Sequence, residues 1–263
     1  AWDLDNNSIF ETSGQSASFS AAGLDGPSSH TIQVQVTDPG GLSAVASATV
    51  NVNNAAPIVS TPLVNPEPST EGSLVSVSAS FTDPYPLDAP FTCTVDFGDG
   101  SGLQPGTVSG NTCNAPAHAY STYGAYTVTV YVTDKDGGVG SASVGHTVIF
   151  NFTGFFSPVD NLPTVNSVKA GQSIPVKFSL GGNKGLNIFA AGYPKSAKVA
   201  CGAMAPLEDI KQTANPGNSS LSYSSGGQYN YGWKTEKAWA GTCRLLIVTF
   251  VDGTTQYAMF KFK

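Results

Sequence analysis

Charged side chains are scarce in this 263-residue chain: Asp, Glu, Lys and Arg together make up 11% of it, against roughly 25% in ordinary soluble domains. Basic residues are the scarcer sign, 12 Lys and Arg against 18 Asp and Glu, which leaves a net charge of −6 with no basic run anywhere. Proteins that hold nucleic acid displace counterions from phosphates with clustered Lys and Arg, so that class is excluded. Long apolar runs are missing too. The longest, Leu245–Val248, falls far short of the ~20 residues of a spanning helix and fits a buried strand, so no membrane insertion is expected in this segment. No stretch has a sustained i, i+3, i+4 apolar pattern; only Pro206–Lys211 admits a single helical turn. The three histidines, His30, His118 and His146, show no triad-like or metal-ligand spacing. Neither a nucleophile elbow nor a phosphate loop occurs, and catalysis is not expected. No secretory leader lies among these residues, so the extracellular reading developed below takes the chain as processed or as a fragment.

In place of charge stand Ser, Thr and Asn, with 29 Gly and 17 Pro, a surface solvated by hydroxyls and amides as in secreted β-proteins. A hydrophobic content of 40%, with 10% aromatics, is enough for packed cores and excludes a disordered chain. The four cysteines fall into two local pairs, Cys93 with Cys113, 20 residues apart, and Cys201 with Cys243, 42 apart. Neither pair has the C-x-x-C spacing of zinc or redox sites. Both are predicted to be disulfides, each worth about 3–4 kcal/mol through the loop it closes, which places the chain in an oxidising compartment.

Period-2 alternation recurs along the sequence. His30–Asp38 puts Ile32, Val34 and Val36 on one face, and Ala125–Asp134 alternates in the same way. Regular strands bounded by Gly, Pro and Asp turns predict antiparallel β-sandwiches. The chain also repeats itself: Val36-Thr-Asp-Pro-Gly-Gly41 matches Val132-Thr-Asp-Lys-Asp-Gly-Gly138, and Trp2-Asp-Leu-Asp5 stands where Val95-Asp-Phe-Gly-Asp-Gly100 stands in the second copy. With Val52–Ile58 as a linker, this predicts modules at 1–54, 55–150 and 151–263.

The second module resembles a PKD domain, the immunoglobulin-like repeat named for polycystic kidney disease. It does so through Val95-Asp-Phe-Gly-Asp-Gly-Ser101, His118-Ala-Tyr120, Gly124-Ala-Tyr-Thr-Val-Thr-Val130 and Val132-Thr-Asp-Lys-Asp-Gly137. Val95 stands where that family usually has Trp. The first module is similar but starts at its Trp-Asp strand. A complete domain would have two earlier strands, roughly 30–40 residues. Either the chain begins within the domain or another copy supplies the strands by donor-strand addition, as in pilus subunits. The third module, with Phe155-Phe-Ser-Pro-Val-Asp160, Pro175-Val-Lys-Phe178 and Trp239-Ala-Gly-Thr-Cys-Arg244, resembles the bacterial PxKF module that closes secreted proteins bearing immunoglobulin-like repeats. The fold class expected is therefore all-β, a string of tandem immunoglobulin-like sandwiches whose first member is N-terminally incomplete.

Three features could carry chemistry. Asp3, Asp5 and Asn7 with Glu11 follow the alternate-oxygen spacing of calcium loops, although the glycine and the twelfth-position Glu of an EF-hand are missing; the other reading is an Asx turn. In the second module Asp96, Asp99, Asp134 and Asp136 sit at strand ends that the family fold brings near one another. Some PKD-like modules bind Ca²⁺ at such places, while the Asp-Gly pairs at 99–100 and 136–137 suit hairpin turns. Tyr229, Tyr231 and Trp233 alternate on one sheet face, with Tyr223 and Trp239 nearby. Outward they would form a sugar or protein platform, and inward they are core. The resulting expectation is a non-catalytic, structural or adhesive string on a bacterial surface or in a secreted protein, including a fibre subunit completed by donor strands. Its partners would be further copies of itself, neighbouring modules, polysaccharide or a surface protein. The alternative is a set of carbohydrate- or protein-binding accessory modules on a secreted hydrolase. Sequons stand at Asn6, Asn151 and Asn218.

Overall fold

A computed structural model describes residues 1–85, 88–208, 210–214 and 221–263. The alternating segments are strands throughout. The helical structure among the described residues is one 3₁₀ turn, Lys237–Trp239. No helix among the described residues is long and apolar enough to cross a membrane. The turn anticipated at Pro206–Lys211 includes Asp209, which lies outside the described residues; at its two ends Pro206 makes a bridge to Val199 and Lys211 opens a short strand.

The hydrogen-bonded strands fall into three groups. In the first, Ser28–Thr37 is the centre of a three-stranded antiparallel sheet flanked by Trp2–Asp3 and Ser43–Val52. Its register sets Trp2 opposite Val34, and pairs Ile32, Val34 and Val36 with Ala48, Ala46 and Ala44. Because residues paired across an antiparallel ladder share a face, one face is apolar and the other carries Thr31, Gln33 and Gln35. The apolar face is open, and Val36 is 66% exposed.

In the middle group, Leu74–Thr82 pairs with Ile58–Val59, Leu63–Asn65, Thr112–Asn114 and His118–Ala119. A second sheet runs in the order Ser69–Thr70, Val139–Ile149, Gly124–Thr133, Thr92–Asp96, Gln104–Pro105. Alternation becomes alternate burial here. Val75, Val77, Ala79 and Phe81 are closed off on one strand, and Val128, Val130 and Val132 are fully buried on another. The Cys93–Cys113 disulfide forms as expected and ties Thr92–Asp96 to the opposing sheet at Thr112–Asn114.

The third group is a sandwich of four and five strands. One sheet is ordered Phe155–Phe156, Ser173–Phe178, Tyr229–Lys234, Leu221–Tyr223; the other is Val165–Val168, Thr255–Phe262, Cys243–Thr249, Lys195–Val199, Lys211–Gln212. Its core is aromatic: Trp233, Tyr229, Phe178, Phe250, Phe260 and Phe262 are among the largest fully buried side chains. Tyr229, Tyr231 and Trp233 do share a face, and it is the inward one. Cys201 and Cys243 are bonded.

By compactness the chain divides into two units: Ala1–Asn65, Ser76–Ala117 and Tyr126–Gly145 form one, and Pro66–Val75, His118–Ala125 and His146–Lys263 form the other. The division runs through strands of the middle module rather than along its linkers.

Candidate functional site

The Trp-Asp loop is shaped by its own carboxylates. Asp3 is fully buried and accepts the backbone N–H of Ser8 at 2.8 Å and of Asn7 at 3.2 Å. Asp5 accepts the Asn7 amide at 3.0 Å, and Asn7 in turn accepts the N–H of Ile9 at 2.7 Å. Burial pushes the Asp3 carboxyl up, but the amide donors of Ser8, Asn7 and Asn6 outweigh it and hold its pKa below the usual 3.8. Carboxylate oxygens of Asp3, Asp5 and Glu11 come within 4.8 Å of one another. The structure thus brings together the acids of the expected calcium loop, with those of Asp3 and Asp5 already occupied by amides.

A second acidic constellation lies in the first compact unit, where the Val52–Ile58 linker meets the strand ends of the middle module. Asp83, Asp88 and Asp134 place carboxylate oxygens within 4.8 Å, and so do Asp25, Asp88 and Asp136. Lys135 Nζ sits in the latter group, 2.8 and 2.9 Å from the two oxygens of Asp25 and 3.3 Å from Asp88, and is paired with Asp136 as well. These pairings, with Asp136 and Asp25 leading, push its pKa up. Asp88 is buried, and burial raises its pKa, as does the nearness of Asp25 and Asp83, while Lys135 works against the rise. Asp134 goes the other way. Burial pushes it up, but the Asn54 amide at 2.9 Å and the backbone N–H groups of Gly138 and Asp136 bring it below 3.8. Asp83 Oδ2 and Asn54 Oδ1 are buried without a hydrogen-bond partner among the described residues. The linker presses closely on this region. A Cβ at Gly140 would lie 1.8 Å from the Pro57 carbonyl oxygen, and one at Gly138 2.5 Å from both the Asn54 amide nitrogen and Asp134 Oδ2.

The four acids expected to gather in the middle module therefore separate. Asp134 and Asp136 join the linker cluster. Asp96 accepts the N–H of Gly98 at 2.8 Å and Asp99 that of Ser101 at 3.0 Å, which is turn chemistry, and neither belongs to a carboxylate group among the described residues. Sequence reasoning missed Asp25, Asp83 and Asp88. The one local signal was Lys135 standing between two aspartates, because Asp25 lies 110 residues from its lysine.

One histidine does stand in line with a serine and an acid, which the spacing of the histidines does not show. In the second compact unit Ser69 Oγ lies 2.8 Å from His146 Nε2, and His146 Nδ1 is paired with Glu67. This is the order of groups in a Ser-His-acid triad, formed across 77 residues. Ser69 and His146 are each 1% exposed, so the serine oxygen is shut away from a substrate carbonyl and the line serves as a polar tie under Tyr120, whose ring centroid lies 5.1 Å from the imidazole. Nearby, Glu71 accepts the N–H of Tyr123 at 2.7 Å and pairs with Lys184 at 2.6 Å, while Asp252 accepts the N–H of Phe150 at 2.7 Å. Of the sequon asparagines, Asn6 and Asn151 are exposed and Asn218 lies outside the described residues.

Among known proteins, the PKD domain family matches residues 54–148. No curated protein sequence matches the chain. Among the solved structures that resemble it are strings of immunoglobulin-like or fibronectin-like modules. The N-terminal eight Ig domains of Down Syndrome Cell Adhesion Molecule match at 13% identity and a TM-score of 0.42, over 90% of this chain and 28% of that one. The titin domains Z1Z2 in complex with telethonin match at 14% and 0.30, over 81% and 98%. The Clostridium thermocellum CbhA fibronectin(III)-like modules match at 15% and 0.30, over 77% and 94%. The chain is all-β, built of tandem immunoglobulin-like sandwiches, and the similarity to the PKD domain family covers its middle stretch.

Proposed function

We propose that this chain is a non-catalytic extracellular spacer, a stiff length of a bacterial surface or secreted protein that holds other parts at a distance. The observation that carries this reading is the built-in linker. Asn54 and Pro57 are packed onto the middle module through Asp134 and Gly140, and Lys135 reaches back to Asp25 in the first module. A connector packed against a module in this way transmits orientation, which a flexible Gly/Ser tether does not. The PKD match and the two disulfides support an oxidising, extracellular setting.

Two finer points belong to the proposal. The orphaned oxygens of Asp83 and Asn54 beside Asp88 and Asp134 suit a hard cation that takes oxygen ligands, and Ca²⁺ is the ion proposed to reinforce the junction. The Asp3 loop, whose oxygens are engaged, is the weaker calcium candidate. The open apolar face of the first module is proposed to be covered by donated β-strands from a neighbouring copy, which would make the chain a fibre subunit.

The test is small-angle scattering and NMR relaxation on the chain, on Lys135→Gln and on the chain with chelator. A stiff junction predicts that residues of the first two modules share one tumbling time. Lys135→Gln is expected to separate those times, and chelator to lower the melting temperature. Independent tumbling in the unaltered chain would sink the spacer reading, and a melting temperature indifferent to both calcium and chelator would remove the ion. A chain that stays monomeric at high concentration by light scattering would remove the fibre.

A further inference from the structure

The third module holds the chain's single arginine in an unusual place. Arg244 lies on the strand Cys243–Thr249, opposite Phe260 and two residues from Leu246. Alternation therefore puts it on the core-facing side of that sheet, where Leu246 and Phe260 are fully buried. It is itself 8% exposed. Burying a guanidinium is costly unless its charge and donors are met. Arg244 is met in part: its Nη2 pairs with Glu208 at 2.8 Å, and its Cζ lies 4.0 Å over the Trp239 ring. Its Nε has no hydrogen-bond partner among the described residues. The Trp239 ring is in turn fixed by Trp233 and Phe262, at centroid distances of 5.9 and 5.5 Å.

This stacked pair lines a cavity of about 330 Å³ at the mouth between the two sheets of the sandwich. Two more cations, Lys211 and Lys234, line the same cavity, along with buried Ser196 and the carboxylate of Glu236. Three of the 12 basic residues in a chain of net charge −6 therefore converge on one concavity. Neither lysine is in an ion pair among the described residues. Glu208, paired with Arg244, and Glu236 in the lining offset part of that charge and leave the cavity with an excess of positive groups.

We propose that this cavity is a binding site for an acidic sugar, a saccharide unit that carries a carboxylate. The pre-positioned guanidinium and the two ammonium groups suit a carboxylate. Glu236 argues against a bare anion, which it would repel, and for a ligand that also presents hydroxyl donors. The volume falls at the lower end of small-ligand pockets and fits one or two sugar rings. The inference does not rest on the spacer reading and gives the chain a recognition role of its own.

The experiment titrates the full chain with trigalacturonate, neutral maltotriose, a hexaglutamate peptide and inorganic phosphate. Binding is followed by calorimetry and by the Trp239 indole N–H resonance. Saturable binding of trigalacturonate that moves that resonance, with a response to maltotriose at least tenfold weaker, is the result expected. Lys211→Gln and Lys234→Gln, both exposed positions, are each expected to weaken the binding about tenfold with the melting temperature unchanged, and binding should weaken as salt is raised. An equal or stronger response to hexaglutamate would assign the cavity to acidic peptides and overturn the sugar assignment. A response to phosphate alone would overturn it as well, as would no binding, or lysine variants that bind as the unaltered chain does.

Discussion

The first and middle modules place the same strand pattern in two different surroundings. Ile32, Val34 and Val36 precede the turn at Asp38 as Val128, Val130 and Val132 precede the turn at Asp134, and Trp2 pairs with Val34 as Val95 pairs with Val130. In the middle module those three valines are fully buried, whereas Val36 is 66% exposed. Strand formation and register therefore follow from local sequence, the alternation and the Thr-Asp-x-x-Gly turn. Burial follows from a second sheet, which the middle module has in Leu74–Thr82 and its partners. A half-sandwich can have correct hydrogen bonding and still lack the apolar burial that stabilises a β-domain.

The largest expected effect that separates the two modules comes from the disulfide, which only the middle one has. Cys93→Ser with Cys113→Ser should cost the middle module about 3 kcal/mol by the loop-entropy estimate for a short loop and leave the first unaffected. Urea unfolding followed by residue-resolved NMR measures this, and an equal loss in both would mean that they unfold as one body. Next in size is the matched pair Val132→Ala and Val36→Ala. Removing two buried methyls should cost about 2 kcal/mol, and the exposed counterpart less than about 0.5 kcal/mol. If Val36→Ala costs as much as Val132→Ala, the open face is covered in solution. The smallest effect is a pH dependence. Asp134 has its pKa lowered in the fold, so its contribution to stability is present above its unfolded value of about 3.9 and is lost as pH falls through the depressed folded value. The difference in melting temperature between the chain and Asp134→Asn should therefore shrink below about pH 4. A difference that stays constant with pH would place the role of Asp134 in shape rather than charge.

Much of the fold was legible in the sequence because its signals are local. Alternation, turn glycines and the repeat identify strands and their partners, and cysteine spacing identifies both disulfides. Parity alone placed Tyr229, Tyr231 and Trp233 on a common face, but it could not say which side that face turns to. The sites were less legible because their members come from distant segments. Asp25 and Lys135, or Ser69 and His146, meet only once the strands between them have paired. Arg244 stands in the Trp239-Ala-Gly-Thr-Cys-Arg motif, yet nothing in that string says that its guanidinium lies inside.

The terminal strands of the middle and third modules bear on how those modules respond to tension. Ser69–Thr70 runs parallel to Val148–Ile149 at the end of the middle module, and Val165–Val168 runs parallel to Met259–Phe262 at the end of the third. When such a module is pulled by its two ends, tension runs along both strands in opposite directions. The bonds between them are then loaded sideways and must fail together rather than peel apart one at a time. The two complete modules are thus laced against stretching by their terminal strands.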